Sequence, residues 1–320
     1  QATSADRINL SANGPFSFPT ALLNDTPYTV TVATQPTSPA QICTLSNGSG
    51  VIAGANVTNM QVVCAAVQPT GSLDTAFGQQ GKLFDANQGA NVTALQADGK
   101  LLTAIRMTLS RYDAAGVLDA GFGTAGRVTI IGDGNANDQT HGIAVQPDGK
   151  ILVVGETSGA TQGNVRWFLQ RFNTDGTLDP TFGAGGKVFS DFGNFADVAR
   201  TVIVAPGGKI IVAGQSTTTI VGISGADFAV ARYLSDGTKD DQFGFHGLAL
   251  KDLGGRSEFV SAAALQDDGA IVVTGRVFTD NGSGDSDFGI VRFNADGSSD
   301  TTFGGDGIVR YDFGEGGDVP

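Results

Sequence analysis

Residues 174–188 read Thr174-Asp-Gly-Thr-Leu-Asp-Pro-Thr-Phe-Gly-Ala-Gly-Gly-Lys-Val188, and the pattern Asp-x-x-Phe-Gly within them decides the fold. This pattern occurs five times, with its phenylalanine at positions 77, 122, 182, 243 and 303. The intervals between successive phenylalanines are 45, 60, 61 and 60 residues. Self-similarity at a nearly fixed period indicates a repeat protein, here from about residue 70 onward.

Each repeat carries signals for four short β-strands. The first strand follows Phe-Gly-x-x-Gly, and its predicted examples are 82–85, 127–130, 187–190, 248–251 and 308–311. The second ends in an Asp-Gly or Gly-Gly turn, which supplies the positive φ angles of a hairpin. The third is the most apolar, and the fourth ends in arginine followed by an aromatic residue. Four consecutive antiparallel strands are typical of a β-propeller blade, whereas solenoid coils are shorter, at ~20 to 45 residues.

The repeats predict four complete blades in the region 67–320, and the strand at 308–311 is assigned to the start of a fifth. In the first repeat the segment between the third and fourth strands is missing, which explains the interval of 45 residues. A closed four-bladed wheel and a piece of a longer wheel both fit this count.

The repeat resembles the delta-60 repeat family of bacterial secreted β-propellers over about residues 68–318. The resemblance is clearest at 174–188, from Gln146 to Gly155 and from Asp287 to Phe293. It implies a propeller fold and an exported bacterial protein. It implies no common biochemical activity.

Residues 1–66 differ in composition and are predicted to form a separate small domain. Its candidate strands are 7–12, 15–18, 28–35, 40–45 and 57–64. Cys43 and Cys64, the only cysteines, each fall on a strand. A disulfide between them would close a loop of about 22 residues and stabilise the domain by roughly 3 kcal/mol. Two separate buried thiols are the alternative, and the paired state indicates a compartment outside the cytosol.

Parts of this domain resemble an immunoglobulin-like repeat of bacterial surface proteins. The segments that carry the resemblance are Asn13 to Phe18, Tyr28 to Val32, Gln35-Pro36, Cys43, Asn47 to Gly50 and Asn59 to Cys64. They cover only the later part of such a domain, and the absence of a signal peptide predicts that residue 1 is a processed or cut end. The expected fold is all-β: a small disulfide-linked immunoglobulin-like β-sandwich, followed by β-propeller blades of four antiparallel strands.

Composition and charge exclude several classes of protein. The chain has 29 Asp and 3 Glu, and because Asp favours turns while Glu favours helices, a mostly helical fold is excluded. A net charge of −13 without a basic cluster argues against nucleic acid and anionic membranes as partners. No apolar run approaches the ~18 residues of a membrane span.

No catalytic residue is predicted. The two histidines, His141 and His246, lie at unlike places in their repeats and lack neighbours at the spacing of a transition-metal site. Neither a Gly-x-Ser-x-Gly motif nor a Walker-type loop occurs. Residues that break the repeat symmetry are the candidates for an enzymatic site, and they are His141, His246, Arg200 and Glu258.

Residues that recur in every repeat are predicted to be structural, because an active site normally uses a residue once. The phenylalanines, expected to fill the space between blades, are Phe77, Phe122, Phe182, Phe243 and Phe303. A salt bridge between arginine and aspartate is expected in each repeat. The pairs are Arg111–Asp119, Arg171–Asp179, Arg232–Asp240 and Arg292–Asp300. Ligand binding is the alternative role for these charged residues.

Two oxygen-rich loops are candidates for calcium, and no other cofactor is expected. The first contains Asp133, Asn135 and Asn137, but lacks the glycine and glutamate of a typical calcium loop. The second contains Asp280, Asp285 and Asp287, with Asp227 at the position that matches Asp287. A solvated loop is the alternative for both.

Two classes of function fit the sequence. We favour a non-enzymatic extracellular or cell-surface protein of an exporting bacterium: a scaffold, an adhesin or a self-assembling subunit. The alternative is an exported propeller enzyme that acts on a polysaccharide or peptide.

Two kinds of partner are predicted. The loops 157–164, 216–226 and 278–286, between third and fourth strands, vary while their flanks repeat, so they are expected to bind a protein or glycan at one rim. Unpaired strand edges at the two ends predict self-association by strand addition into a head-to-tail, filamentous assembly. A chain cut at its ends is the alternative.

Overall fold

The computed structural model contains two compact units, Gln1–Asp74 and Thr75–Pro320. The structure describes residues 6–11, 13–37, 41–66, 72–85, 90–132, 137–158, 165–192, 196–220, 223–255, 257–278 and 286–314. The regular elements in these ranges are β-strands, apart from one 3-10 turn at Pro206–Gly208. No helix among these residues has the length and hydrophobicity needed to cross a membrane.

The first unit contains two small antiparallel sheets. Its strands are β1 (Gly14–Pro15), β2 (Pro27–Thr29), β3 (Gln41–Ser46), β4 (Ser49–Val51) and β5 (Gln61–Ala66). One sheet has the order β1-β5-β3, and the other pairs β2 with β4. Cys43 lies opposite Cys64 in the β3–β5 register, and the two form the predicted disulfide. Residues 7–11 contain no strand, contrary to expectation, and the immunoglobulin-like sandwich stays a prediction.

We expect the double substitution Cys43→Ala with Cys64→Ala to lower the free energy of unfolding of the first unit by about 3 kcal/mol, because the cross-link restricts the unfolded chain. The two cysteines are 21 residues apart in sequence. Calorimetry should show the transition of the first unit at a lower temperature. The transition of the second unit, which has no cysteine, is the internal control, and a first transition that does not move would contradict the expectation.

The second unit contains four four-stranded antiparallel sheets, here called blades 1 to 4. Blade 1 consists of β6 (Val92–Leu95), β7 (Leu101–Ile105), β8 (Thr108–Tyr112) and β9 (Arg127–Thr129). Blade 2 consists of β10 (Gln139–Val145), β11 (Ile151–Ser158), β12 (Val165–Phe172) and β13 (Lys187–Ser190). Blade 3 consists of β14 (Asp197–Val204), β15 (Ile210–Ile220), β16 (Ile223–Tyr233) and β17 (Leu248–Lys251). Blade 4 consists of β18 (Ser257–Leu265), β19 (Ile271–Phe278), β20 (Ser286–Phe293) and β21 (Ile308–Tyr311). Strands pair in chain order within each blade, which confirms the prediction of four-stranded antiparallel sheets.

The blades begin one strand later in the sequence than predicted. Strand β21 pairs with β20 and completes blade 4, so it does not begin a fifth blade. The segment 82–85, predicted as the first strand of blade 1, forms isolated bridges at Lys82 instead. The physical reason is the Phe-Gly-x-x-Gly turn, which folds the chain back onto the preceding strand. In blade 2, for example, the Arg171 amide donates to the Gly186 carbonyl at 3.0 Å.

Three buried cores lie between successive blades. They explain why the strands β7, β11, β15 and β19, predicted as the third strand of each repeat, are apolar on both faces. Between blades 2 and 3, Trp167 donates from Nε1 to the carbonyl of Gln215 at 3.3 Å. Its indole also packs edge-on against Phe192, with ring centroids 4.9 Å apart. Between blades 3 and 4, Phe228 occupies the position that corresponds to Trp167.

The first strands of the blades lie side by side and carry a recurrent irregularity. Strand β6 contacts β10, β10 contacts β14, and β14 contacts β18. No comparable contact joins β18 to β6 in the described part of the chain, so the series of blades is open there. A register shift in each of β10, β14 and β18 leaves one bulged residue, namely His141, Arg200 or Ser261.

Candidate functional site

An arginine, an aspartate and a phenylalanine form the same contact in every repeat. The Nε atom of arginine donates to Oδ2 of aspartate in Arg111–Asp119, Arg171–Asp179, Arg232–Asp240 and Arg292–Asp300, at 2.9, 2.7, 2.7 and 2.6 Å. Each guanidinium also lies over a phenyl ring, and the rings belong to Phe122, Phe182, Phe243 and Phe303, 4.4 to 4.9 Å away. Cation–π contact and ion pairing together hold the third strand of each blade against the following turn.

The electrostatics of this contact keep the aspartate ionised. Burial alone would raise the pKa of Asp179, but hydrogen bonds from Thr181 and Lys150 outweigh it and hold that pKa well below its usual value. The Thr181 hydroxyl donates at 2.6 Å, and the Lys150 ammonium at 2.9 Å. A buried carboxylate with this many donors is satisfied within the protein, so the recurrence of these residues is accounted for by packing.

The turn after the phenylalanine links one repeat to the next. The amide of Gly183 donates to the carbonyl of Asp236, and equivalent bonds join Gly123 to Asp175 and Gly244 to Asp296. At Gly183 φ is +51°, and a Cβ would lie 2.4 Å from the Lys187 carbonyl oxygen, so only glycine fits.

A second polar group breaks the repeat symmetry of the described blades, and we call its residues, His141, Glu156 and Arg200, the inner-strand cluster. His141 and Arg200 are the bulged residues of neighbouring first strands, and Arg200 Nη1 lies 3.4 Å from His141 Nδ1. Glu156 Oε1 lies 3.5 Å from His141 Nε2. Burial lowers the pKa of Arg200, and the nearby Glu156 charge opposes that shift. An imidazole between a carboxylate and a guanidinium can exchange a proton with a bound anionic group.

The other predicted symmetry-breaking residues lie elsewhere. His246 is exposed in the turn after Phe243, where its ring packs edge-on against Phe245 at 4.4 Å. Glu258 lies in β18 and is fully buried. The structure therefore brings His141 and Arg200 together and separates both from His246 and Glu258 in the fold.

An acidic residue near the start of the first strand recurs in three blades, so Glu258 does not break the repeat symmetry as predicted, and Asp138 and Asp197 were missed. These residues, Asp138, Asp197 and Glu258, each lie eight residues before the residue that opens the hairpin turn. All three are buried and accept backbone hydrogen bonds, for example from the Phe192 amide to Asp197 at 2.7 Å. Burial raises the pKa of Glu258 to about 7, even though two amides donate to it. The constant spacing was a readable signal.

The predicted calcium loops fall mostly outside the described residues, because Asp133, Asn135, Asp280 and Asp285 lie there. Asn137 is exposed, and Asp287 accepts a hydrogen bond from Arg310 Nη2 at 2.6 Å. The described residues instead bring together Asp227, Asp252 and Glu258, with one oxygen of each within 4.8 Å of the others.

The predicted rim loops are described only in part. In the second loop, 216–226, strands β15 and β16 run on to Ile220 and from Ile223, so most of this predicted loop is an extended hairpin. The β-branched run 217–220 favours strand over loop. Residues 159–164 and 279–285 of the other two lie outside the described residues.

Three segments of the chain, 146–182, 206–243 and 266–303, match the family model described as "Domain of unknown function (DUF5122) beta-propeller". The chain is similar to this family over three repeats. Each match runs from the hairpin turn of one blade to the phenylalanine of the next Asp-x-x-Phe-Gly. The matches support a propeller-type repeat family, as predicted, while the delta-60 name stays a prediction. None of the curated proteins matches the chain in sequence.

Several solved structures are similar to the chain at low identity. A protein of unknown function from Bacteroides caccae is 13% identical, over 71% of this chain and 88% of that one, with a TM-score of 0.34. A streptogramin B lyase is 14% identical, over 70% and 68%, with a TM-score of 0.35. An ACO/RPE65 chimera is 12% identical, over 83% and 58%, with a TM-score of 0.36. Likenesses with such TM-scores carry no conclusion about this chain.

Proposed function

We propose that this chain is a non-enzymatic, exported structural protein that binds a further copy of itself through one face of blade 4. That face, here the blade 4 face, comprises Val272, Thr274, Phe288, Ile290 and Phe303, all partly exposed. The corresponding residues of blades 2 and 3 are buried, and they are Leu152, Val154, Trp167, Leu169, Phe182, Ile211, Ala213, Phe228, Val230 and Phe243. A face that is core in two blades and exposed in the next is the observation that carries this proposal.

The occupant that fits the blade 4 face is blade 1 of a second copy. Within the chain, this face is covered by the next blade, which contributes a buried isoleucine at the start of its second strand: Ile151, Ile210 or Ile271. The counterpart in blade 1 is Leu101, which is partly exposed, and the nearby Leu95 is 71% exposed. A head-to-tail contact would repeat the strand part of the internal interface. It would not repeat the turn part, because the Gly78 amide of the same chain already donates to the Ala115 carbonyl of blade 1 at 2.8 Å.

Polar groups at the blade 4 face agree with this occupant. Arg111, Arg171 and Arg232 each donate from Nη1 to a carbonyl one repeat further along, at Thr174, Ser235 and Ala295. For Arg292, the fourth member, the described residues provide no such carbonyl. We expect a second copy to supply it from outside the turn 113–117, which Gly78 already covers.

The disulfide supports the location outside the cytosol, because such bonds persist in oxidising compartments. Three further predictions belong to the same proposal. They are a role as scaffold or adhesin, strand addition at the outer edge of β21, and a protein or glycan bound at the loops 157–164, 216–226 and 278–286.

The association is tested by light scattering on the 320-residue chain at concentrations up to about 100 µM. We expect the wild type to associate, and Ile290→Lys to weaken association at least about 10-fold with an unchanged melting temperature. Leu250→Lys, which replaces an exposed aliphatic residue on β17 of blade 3, outside both proposed faces, is the matched control. A wild type that stays monomeric throughout would contradict the proposal.

An exported enzyme is the second candidate, and the inner-strand cluster is the observation that favours it. In this case His141 exchanges a proton while Arg200 binds an anionic group of a polysaccharide or peptide. Turnover of such a substrate that is lost in His141→Ala and kept in His246→Ala would support it. Turnover that is equal in both variants would contradict it.

A further inference from the structure

Three carboxylates meet where blade 3 contacts blade 4. Asp227 lies in β16 of blade 3, Asp252 follows β17, and Glu258 lies in β18 of blade 4. The counterparts between blades 2 and 3 are Arg166, Asp191 and Asp197, as the strand registers show. Arg166 itself lies over the Phe189 ring at 4.6 Å, and the opposite charge near Asp197 is that of Lys239. The counterpart of Lys239 in the next repeat is the uncharged Ser299.

Glu258 carries an unsatisfied oxygen at this place. The residue is fully buried, and its Oε1 accepts hydrogen bonds from the amides of Leu253 at 2.8 Å and Gly255 at 3.1 Å. Its Oε2 is also buried and has no hydrogen-bond partner among the described residues. A buried charged oxygen without a partner is costly, so a missing partner is indicated.

The preceding interface shows how the second oxygen is normally satisfied. Asp197, the counterpart of Glu258, accepts one bond from the Phe192 amide and another from the Ser216 hydroxyl at 2.6 Å. In blade 4 the residue that corresponds to Ser216 is Val277, which lies opposite Glu258 and has no donor. The interface between blades 3 and 4 therefore lacks the Ser216 hydroxyl and has the additional carboxylate of Asp227.

We propose that Asp227, Asp252 and Glu258 bind a calcium ion between blades 3 and 4. Hard divalent cations prefer such an all-oxygen set. Ca²⁺ binds oxygen at about 2.3–2.6 Å, so two ligands of one ion can lie up to about 5 Å apart, and oxygens within 4.8 Å of one another can share such an ion. The ion gives Glu258 Oε2 a partner and offsets the mutual repulsion of the three carboxylates.

One arginine lies near the group in the fold, and another lies close to it in the sequence. Arg310 donates to the Leu253 carbonyl at 2.9 Å, and its other terminal nitrogen pairs with Asp287, so its charge is already matched. Arg256 lies between Asp252 and Glu258 in the sequence and outside the described residues. It is the competing counter-charge that the experiment must separate from calcium.

The site joins residues of two blades, so binding stabilises the interface between them. We expect 1 mM CaCl₂ to raise the melting temperature of the wild-type chain by about 5 °C over the value in chelator. Titration calorimetry should show one saturable site, and Asp252→Asn should weaken the calcium affinity at least about 10-fold. The same concentration of MgCl₂ should give a smaller shift.

Glu258→Gln distinguishes a metal ligand from a purely structural residue. The amide keeps an oxygen for the two backbone donors and removes one charge, so the variant should melt above the wild type in chelator and lose the calcium shift. Asp191→Asn, at the corresponding place in the preceding interface, is the matched control and should keep the full shift. Arg256→Ala should keep the calcium heat as well. The proposal is overturned if calcium gives the wild type neither heat nor shift, or if the shift survives in Glu258→Gln.

Discussion

Phe182→Ala is expected to lower the free energy of unfolding of the second unit by about 4 kcal/mol. Phe182 is fully buried, with the Arg171 guanidinium over its ring at 4.4 Å. Gly237 lies against the ring so closely that a Cβ there would be 2.9 Å from it. Residues of two blades enclose the ring, so truncation leaves a cavity that side chains alone cannot fill. Urea unfolding followed by circular dichroism should give a lower midpoint at an unchanged slope.

Phe303→Ala is the matched control for this substitution. Phe303 occupies the same position after blade 4, with Arg292 over its ring at 4.9 Å, but it is partly exposed. Its truncation should therefore cost less than half as much in the monomeric protein. Equal losses for the two variants would contradict the assignment of Phe182 to a core between blades.

Asp179→Asn is expected to cost about 3 kcal/mol at pH 7. The carboxylate accepts hydrogen bonds from Arg171 and Lys150, and its side chain is 3% exposed. Asparagine still accepts the Thr181 hydroxyl but leaves the buried Arg171 without its counter-charge. Calorimetry of variant and wild type at the same pH measures the difference.

The pH dependence of that difference has a defined sign. The pKa of Asp179 is lowered in the folded state, so its contribution is complete above the unfolded value of about 4 and is lost as the pH falls toward the folded value. The stability gap between wild type and variant should therefore narrow below about pH 4. Asp300→Asn, whose partner Arg292 is 26% exposed, should lower the stability less than Asp179→Asn does. A gap that widens in acid would contradict this account.

The architecture of the second unit was predictable because its signals are local. An Asp-Gly turn between two apolar runs determines a hairpin wherever it occurs, and five copies of one motif multiply that evidence. The start of each blade was not predictable from the same signals. It depends on whether the strand after each Phe-Gly-x-x-Gly turn pairs with the strand before the turn. In blade 4 this is the pairing of β21 with β20, which is accompanied by hydrogen bonds across the turn. Strand propensity alone does not show whether such a strand pairs with the preceding strand or with the following one.

The candidate sites were harder to predict for a related reason. His141 was compared with His246, which lies in a turn, whereas its neighbour in space is Arg200 at the equivalent bulge of the next blade. Glu258 was predicted to break the repeat symmetry, whereas its constant distance to the hairpin turn marks it as the counterpart of Asp138 and Asp197. Its proximity to Asp227 could not, because that contact requires two sheets to pack with a known register.

The interfaces between blades are filled by side chains of different size, and this difference affects whether similar blades can pack in the wrong order. Between blades 2 and 3, Trp167 packs edge-on beside Phe192. Between blades 3 and 4, the smaller Phe228 and Leu253 take those two places. A face docked onto the wrong neighbour would meet either a void or a clash, and both are destabilising. Side-chain size at each interface therefore selects the correct order of blades during folding, in addition to the connectivity of the chain.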